Sequence, residues 1–162
     1  MIRVRKARRS DSNRFFTWRN DPLVVASSFT KTAIDIRDHE RWYDQKLASD
    51  NCEMFVVEYE NQPAGQVRFD IAGAEATVNY SLDAAFRGRG LAAPSMSRAI
   101  AAFSKDRKEV TSLVALVKQD NMASHRVFEK LEFAFDGVDD DLQADRYRLN
   151  LFAAAHDGLT GD

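Results

Sequence analysis

The chain is poor in the residues that staple or stiffen a small fold: 162 residues hold one cysteine and three prolines. A lone Cys52 cannot close an internal disulfide, which excludes a disulfide scaffold and points to a reducing, cytoplasmic setting. No window approaches the ~18 consecutive apolar residues of a membrane span, so no membrane partner is expected. The start, MIRVRKARRSDS, is charged from its third residue and has no apolar centre, so it is not expected to act as a secretory signal. Basic excess is missing too. Lys and Arg number 23 against 25 Asp and Glu, a net charge of −2, which argues against a broad nucleic-acid footprint. What remains is ordinary globular composition, 44% hydrophobic and 30% charged. The length suits one domain, expected over 1–152, with 153–162 as a flexible tail.

The periodicities give an order of elements. Ile2–Ala7 alternates apolar and basic residues and reads as a strand. Ser10 or Asp11 can cap a short helix carrying Phe15, Phe16 and Trp18, which Asn20–Pro22 ends. Asp35 caps a second helix, with Ile36, Glu40, Tyr43 and Leu47 at helical spacing and His39 in a capping or surface role. Glu53–Glu60 and Gln66–Ile71 form a hairpin about an Asn61–Gly65 turn, and Ala76–Asp83 is a further strand. A helix follows with Ala92, Met96, Ala99, Ile100 and Phe103 on one face. Next come a buried-type strand at Thr111–Lys118 and a helix with Ala123, Val127 and Leu131 inward. Strands at Phe133–Val138 and Arg146–Phe152 close the chain. The order βααβββαβαββ combines hairpins with one βαβ crossover, hence an α/β (α+β) fold with a mixed sheet covered by helices on both faces.

One stretch carries chemistry. Phe86–Ser95, FRGRGLAAPS, sits where a strand gives way to a helix. First-turn N–H groups have no partner within a helix, and the helix dipole adds positive charge there. Such a terminus suits a diphosphate. Gly88 and Gly90 let phosphate approach bare backbone, Arg87 and Arg89 can neutralise it, and Pro94 in the first turn gives up an N–H that would be unpaired anyway. A plain interelement loop is the alternative reading of this fragment by itself.

The sequence resembles the Gcn5-related N-acetyltransferase (GNAT) superfamily. Arg87-Gly88-Arg89-Gly90-Leu91-Ala92 is similar to the family's Arg/Gln-x-x-Gly-x-Gly/Ala signature, and VKQDNMASHRVFEKLEF resembles its second block through Asn121, Ser124, Phe128 and Phe133. The resemblance implies a GNAT-like fold with a mostly antiparallel sheet of six or seven strands, in which strands 76–83 and 111–118 splay apart. It implies acetyl-CoA as cofactor, its pyrophosphate on the N–H groups of Arg87 to Ala92 and its pantetheine arm in the splay. A backbone N–H near Leu82 would then meet the thioester oxygen. Asn121, Ser124 and Phe128 would also face the cofactor, although Asn121 suits a helix cap equally. Transfer would be direct, so Cys52 needs no nucleophilic role. For proton handling, Glu75 or Asn79 could order a water, and Ser124 could serve the leaving thiolate, because Phe128 stands where many members carry tyrosine. Glu132 replaces the block's usual glycine. No metal is expected.

The acceptor segment, FFTWRNDPLVVASSFTKTAIDIRDHERWYDQKL, resembles the helix–loop–helix of acetyltransferases acting on nucleotide-linked 4-amino sugars of the pseudaminic acid route. On that reading Trp18, Arg19, Asn20, Phe29 and Tyr80 contact a small-molecule amine, and aromatic faces stack on base or sugar. WRNDP also occurs in acetyltransferases of ribosomal-protein N-termini and of antibiotics, which makes those acceptors the alternative. An inactive acetyl-CoA binder is the second alternative, and a homodimer is compatible with either.

Overall fold

The computed structural model describes residues 1–30 and 32–151. Seven strands form one sheet: β1 Ile2–Lys6, β2 Cys52–Tyr59, β3 Gln62–Ala72, β4 Glu75–Leu82, β5 Ser112–Lys118, β6 Ala134–Asp139 and β7 Ala144–Asn150. The spatial order is β1-β2-β3-β4-β5-β7-β6, and every pairing is antiparallel except β4 with β5. Among the described residues five α-helices flank it: α1 Ser12–Arg19, α2 Pro22–Ser27, α3 Ile36–Ala48, α4 Ala92–Asp106 and α5 Met122–Lys130. The expected mixed sheet with helices on both faces is therefore present. Phe152 and the expected tail 153–162 lie outside the described residues.

Strand alternation divides the core into two layers. On one face Phe69 stacks on Phe103 of α4 with centroids 4.1 Å apart, among Phe55, Val67, Val78 and Leu113. On the other, Cys52, Met54 and Val56 of β2 pack beneath Phe15, Trp18 and Tyr43. Burial pushes the Cys52 thiol up to about 12, as expected of a packed thiol with no nucleophilic task.

Four local expectations change. The segment Asn20–Pro22 does not simply end α1. Asp21 accepts from the N–H groups of Leu23 and Val24, and Pro22 opens α2, because proline is preorganised for a first helical turn. The β2–β3 turn is two residues, Glu60 and Asn61, both at positive φ, so β3 begins at Gln62 and a bulge at Val57/Glu58 accommodates Pro63. In α5, Ala123 is exposed and the buried side chains are His125 and Phe128. His125 sits inside because both ring nitrogens are satisfied, by Tyr147 Oη at 2.7 Å and Lys118 O at 3.0 Å.

The fourth is His39, which is fully buried rather than a cap or surface group, and packs against Phe16, Trp42 and Tyr43. Its Nε2 lies 2.8 Å from Ser12 O, and its Nδ1 has no partner. Protonating Nδ1 would bury an unpaired charge, so burial holds His39 below its ordinary 6.5, against the opposing pull of the Ser12 bond. As pH falls through 6.5 the unfolded chain takes up this proton before the folded one, and stability declines. Thermal melting should therefore show Tm falling on the acid side of about pH 6.5, and His39→Gln should flatten that slope. An unchanged slope would remove His39 from the acid sensitivity.

Candidate functional site

β4 and β5 pair only at Glu75↔Ser112, Ala76↔Leu113 and Thr77↔Val114. Beyond that point β4 stays bonded to β3 as far as Leu82, and β5 to β7 as far as Lys118, while the two strands part. The strands thus splay as the resemblance implied. Asp83 N–H donates to Ala64 O at 2.8 Å, so by antiparallel alternation the N–H groups of Leu82 and Tyr80 point to the opposite edge, into the gap. Gly65 lets β3 and β4 approach here: a Cβ on it would stand 2.4 Å from Ser81 O.

At the head of the gap a short 3₁₀ turn, Ala84–Phe86, leads into the glycine-rich stretch and α4. Gly88 and Gly90 have φ of +72° and +70°, and no protein atom lies within 4 Å of a Cβ built on either. Leu91 caps α4 without a side-chain bond, and the N–H groups from Gly88 to Ala92 have no partner among the described residues. Bare amides, open space and a helix dipole thus coincide, a cradle that fits the diphosphate of acetyl-CoA. The arginines do less here than the sequence suggests. Arg87 donates to Asp21 at 2.9 Å and so ties this loop to the N-terminus of α2, while Arg89 lies over the Phe86 ring at 5.5 Å.

A cavity of about 1120 Å³ runs from this cradle along the gap and out beneath α2 and α3. Because successive β4 side chains face opposite sides of the sheet, and the gap joins those sides, the cavity is lined from both. Tyr80 and Ser124 line the α4–α5 side, and Phe128 is buried there; Asn79 and Ser81 line the α1–α3 side, held by Gln66 Nε2 at 3.1 Å each. Asn79 and Tyr80, on opposite faces of β4, therefore both line the cavity. Asn121 does cap α5, accepting from Ser124 N–H, and its Nδ2 also donates to Ser124 Oγ at 3.1 Å. Glu75 is elsewhere. It sits at the zipped end of β4 and pairs with Arg148 at 2.8 Å, so the geometry removes it from the site.

The remaining residues meet on the α1–α3 side. Trp18 is buried and its indole N–H donates to Asp83, which ties α1 to the end of β4. Asn20 fixes the loop before α3 by bonding both the N–H and C=O of Ile34. Phe29 is 40% exposed at the cavity wall, with Lys118 Nζ 5.9 Å from its ring. Arg19 lies over the Trp42 ring at 4.6 Å, and Arg68 lies over the same ring at 5.2 Å. Arg68 has Asp70 as counter-ion at 2.9 Å. Arg19 has no hydrogen bond or ion pair among the described residues, and its Nη1 is buried. Burial, and then the nearby Arg68 charge, push the Arg19 guanidinium below its ordinary value.

Sequence reasoning missed Arg68, Gln66 and the Asp21–Arg87 tie. The first two had a signal, since they occupy the polar positions of an alternating strand that must face the α3 side. The tie had none, for 66 residues separate its partners.

Comparison with known proteins follows the same line. A family model for an acetyltransferase (GNAT) domain matches residues 2–134. The fold superimposes on aminoglycoside acetyltransferase AAC(6′)-Ib in complex with coenzyme A at a TM-score of 0.82 and 18% identity, over 96% of this chain and 98% of that one. It matches RimL, a ribosomal L7/L12 α-N-protein acetyltransferase in complex with coenzyme A, at 0.81 and 17%, over 94% and 95%. It also matches spermidine N-acetyltransferase from Vibrio cholerae, in complex with coenzyme A and spermine, at 0.82 and 16%, over 93% and 96%. No curated protein matches the sequence significantly. At these identities the structural likeness is one of fold.

Proposed function

The chain belongs to the GNAT acetyltransferase family, and from that premise we propose that it moves an acetyl group from acetyl-CoA to the primary amine of a small, negatively charged acceptor, with the 4-amino group of a nucleotide-linked sugar as the best match. The single observation carrying the acceptor assignment is Arg19, a desolvated guanidinium in the cavity wall with no acidic partner, beside a second guanidinium. Partial burial of a charge with no counter-ion is unfavourable, and a ligand anion would relieve it. A phosphate or carboxylate does so, and a base or sugar face can lie against Trp42 or Phe29. Spermidine and aminoglycosides, the acceptors of two structural neighbours, are polycations that this guanidinium would repel.

The chain's residues divide the work. The amides of Gly88 to Ala92 hold the diphosphate, and the open edge of β4 pairs with the arm that follows it. Bound there, acetyl-CoA supplies an acetyl group activated as a thioester. The Leu82 N–H, aimed into the gap, stabilises negative charge on the carbonyl oxygen. Asn79, held by Gln66, orders the water that takes a proton from the attacking amine.

The test is release of free thiol from acetyl-CoA with a uridine-diphosphate 4-amino sugar, spermidine, an aminoglycoside and a peptide panel in parallel. The expected result is a kcat/KM for the nucleotide sugar about 100-fold or more above the others, the discrimination that a buried ionic contact supplies. Acetylation of peptides alone would reject the sugar assignment and favour a ribosomal-protein-type acceptor. Tight binding of acetyl-CoA without turnover on any amine would favour an inactive binder.

A further inference from the structure

The departing sulfur must take up a proton if the products are to be an amide and a thiol, and the gap contains a hydroxyl placed for this. Tyr80 lies on the unpaired stretch of β4, between Thr77, where pairing with β5 stops, and Leu82, whose N–H faces the gap. Its hydroxyl lies 2.9 Å from Ser124 Oγ of α5, so the pair bridges the gap from strand to helix. The Ser124 hydroxyl is itself held from the α5 side. Asn121 Oδ1 accepts from Ser124 N–H, which turns Asn121 Nδ2 toward Ser124 Oγ at 3.1 Å as a donor. Ser124 Oγ thus accepts from Asn121, and in its bond with Tyr80 either hydroxyl can donate. The bond holds the Tyr80 hydroxyl at the cavity wall, where it can pass a proton to a group in the gap.

Other hydroxyls are less well placed. Ser81 is held by Gln66 on the opposite face, and Ser27, Ser28 and Thr30 lie on and beyond α2 rather than in the gap. Phe128 carries no donor, but packs edge-on to the Tyr80 ring at 5.9 Å and fixes its orientation. Burial pushes the Tyr80 phenol above its ordinary value, with the Ser124 bond pulling the other way, so the group stays protonated at neutral pH.

We infer that Tyr80, rather than contacting the acceptor, is the acid for the leaving sulfur, with Ser124 and Asn121 as positioning residues that hold its hydroxyl at the gap. This rests on the acetyl-transfer reading above. The amine lone pair forms the new C–N bond and the C–S bond breaks with its electron pair on sulfur. Tyr80 gives its O–H proton to that sulfur, and the proton shed by the acylated nitrogen returns to the phenolate through Ser124 or water. The sum is amine plus thioester giving amide plus thiol.

The experiment uses coenzyme A itself, so it does not depend on knowing the acceptor. The thiol of coenzyme A bound to the full chain is titrated by ultraviolet absorbance of the thiolate, in the parent protein, in Tyr80→Phe and in Ser124→Ala. A phenol aimed at sulfur stabilises the thiolate, so the bound thiol should titrate below free coenzyme A in the parent, move up in Tyr80→Phe, and lie between the two in Ser124→Ala. With any accepted amine, kcat of Tyr80→Phe should fall by roughly 10²-fold or more, the usual contribution of a positioned acid, at unchanged KM for acetyl-CoA. Circular dichroism confirms the fold of each variant. A bound thiol that titrates alike in the parent and Tyr80→Phe overturns the assignment, even if kcat falls, because Tyr80 would then be only a packing group. Failure of the parent to bind coenzyme A would overturn the cofactor reading itself, and that is a distinguishable result.

Discussion

Gly90→Val should lose acetyl-CoA binding by about two to four powers of ten while the protein remains folded. Two effects separate in this variant. The residue stands at φ +70° in an exposed turn, where a β-branched side chain is strained by about 1–2 kcal/mol. No protein atom lies within 4 Å of its Cβ position, so no clash adds to that strain. For a chain of this size the strain corresponds to a Tm lower by roughly 2–8 °C, well short of unfolding. Binding suffers more. The branched side chain stands over the amides that would meet the diphosphate, and each charge-assisted bond lost is worth about 1.5–3 kcal/mol. Losing two of them gives the stated range. Gly90→Ala provides the control, because it shares much of the backbone strain but carries only a methyl group. Isothermal titration with acetyl-CoA, alongside thermal melting, measures both effects. Normal affinity in Gly90→Val would show that the phosphates bind elsewhere.

Arg19→Met should cost activity on the acceptor with little cost in stability. Met keeps the length of the stem and its packing on Trp42, but removes a half-buried guanidinium that has no hydrogen bond or ion pair among the described residues. Tm should therefore change little, since the partial desolvation of this charge and its contact with the Trp42 ring oppose one another. The effect on the acceptor should be larger. If a phosphate or carboxylate of the acceptor completes this site, kcat/KM for the nucleotide sugar should fall about 100-fold or more, because the anion is left without its partner. If the amides before α4 hold acetyl-CoA, its affinity should not change. Steady-state kinetics with each substrate varied in turn distinguishes these outcomes. Equal loss for acetyl-CoA and acceptor would mean that Arg19 supports the cleft as a whole rather than an anion.

Some of the site was readable because its chemistry is local. The glycine-rich stretch is a continuous segment whose conformational demand, positive φ at Gly88 and Gly90, is written in the residue type. Asn121 as a cap and Cys52 as a packed thiol were likewise visible from neighbouring residues. The failures share a different cause. Glu75 is close to Asn79 in sequence, yet it lies where β4 and β5 are still zipped, and only the register with Ser112 shows this. His39 looked exposed because its polar neighbours Asp38 and Glu40 are, whereas α3 turns that one position onto the rings of Phe16, Trp42 and Tyr43. Asp21–Pro22 read as a stop because aspartate and proline serve at breaks and at helix starts alike.

Periodicity and turn chemistry alone determined the number of strands and four of the five α-helices among the described residues, and marked the glycine-rich stretch as a strand-to-helix turn, since each depends on residues a few positions apart. Tertiary structure decided which side chains share the cavity. Tyr80 meets Ser124, Arg19 joins Arg68 on Trp42, and Arg87 reaches Asp21 across dozens of residues of intervening chain. Such meetings are set by where the parallel pairing of β4 and β5 stops and by how the flanking helices pack over the opening. Those are outcomes of the whole sheet's twist and packing, which no single segment encodes.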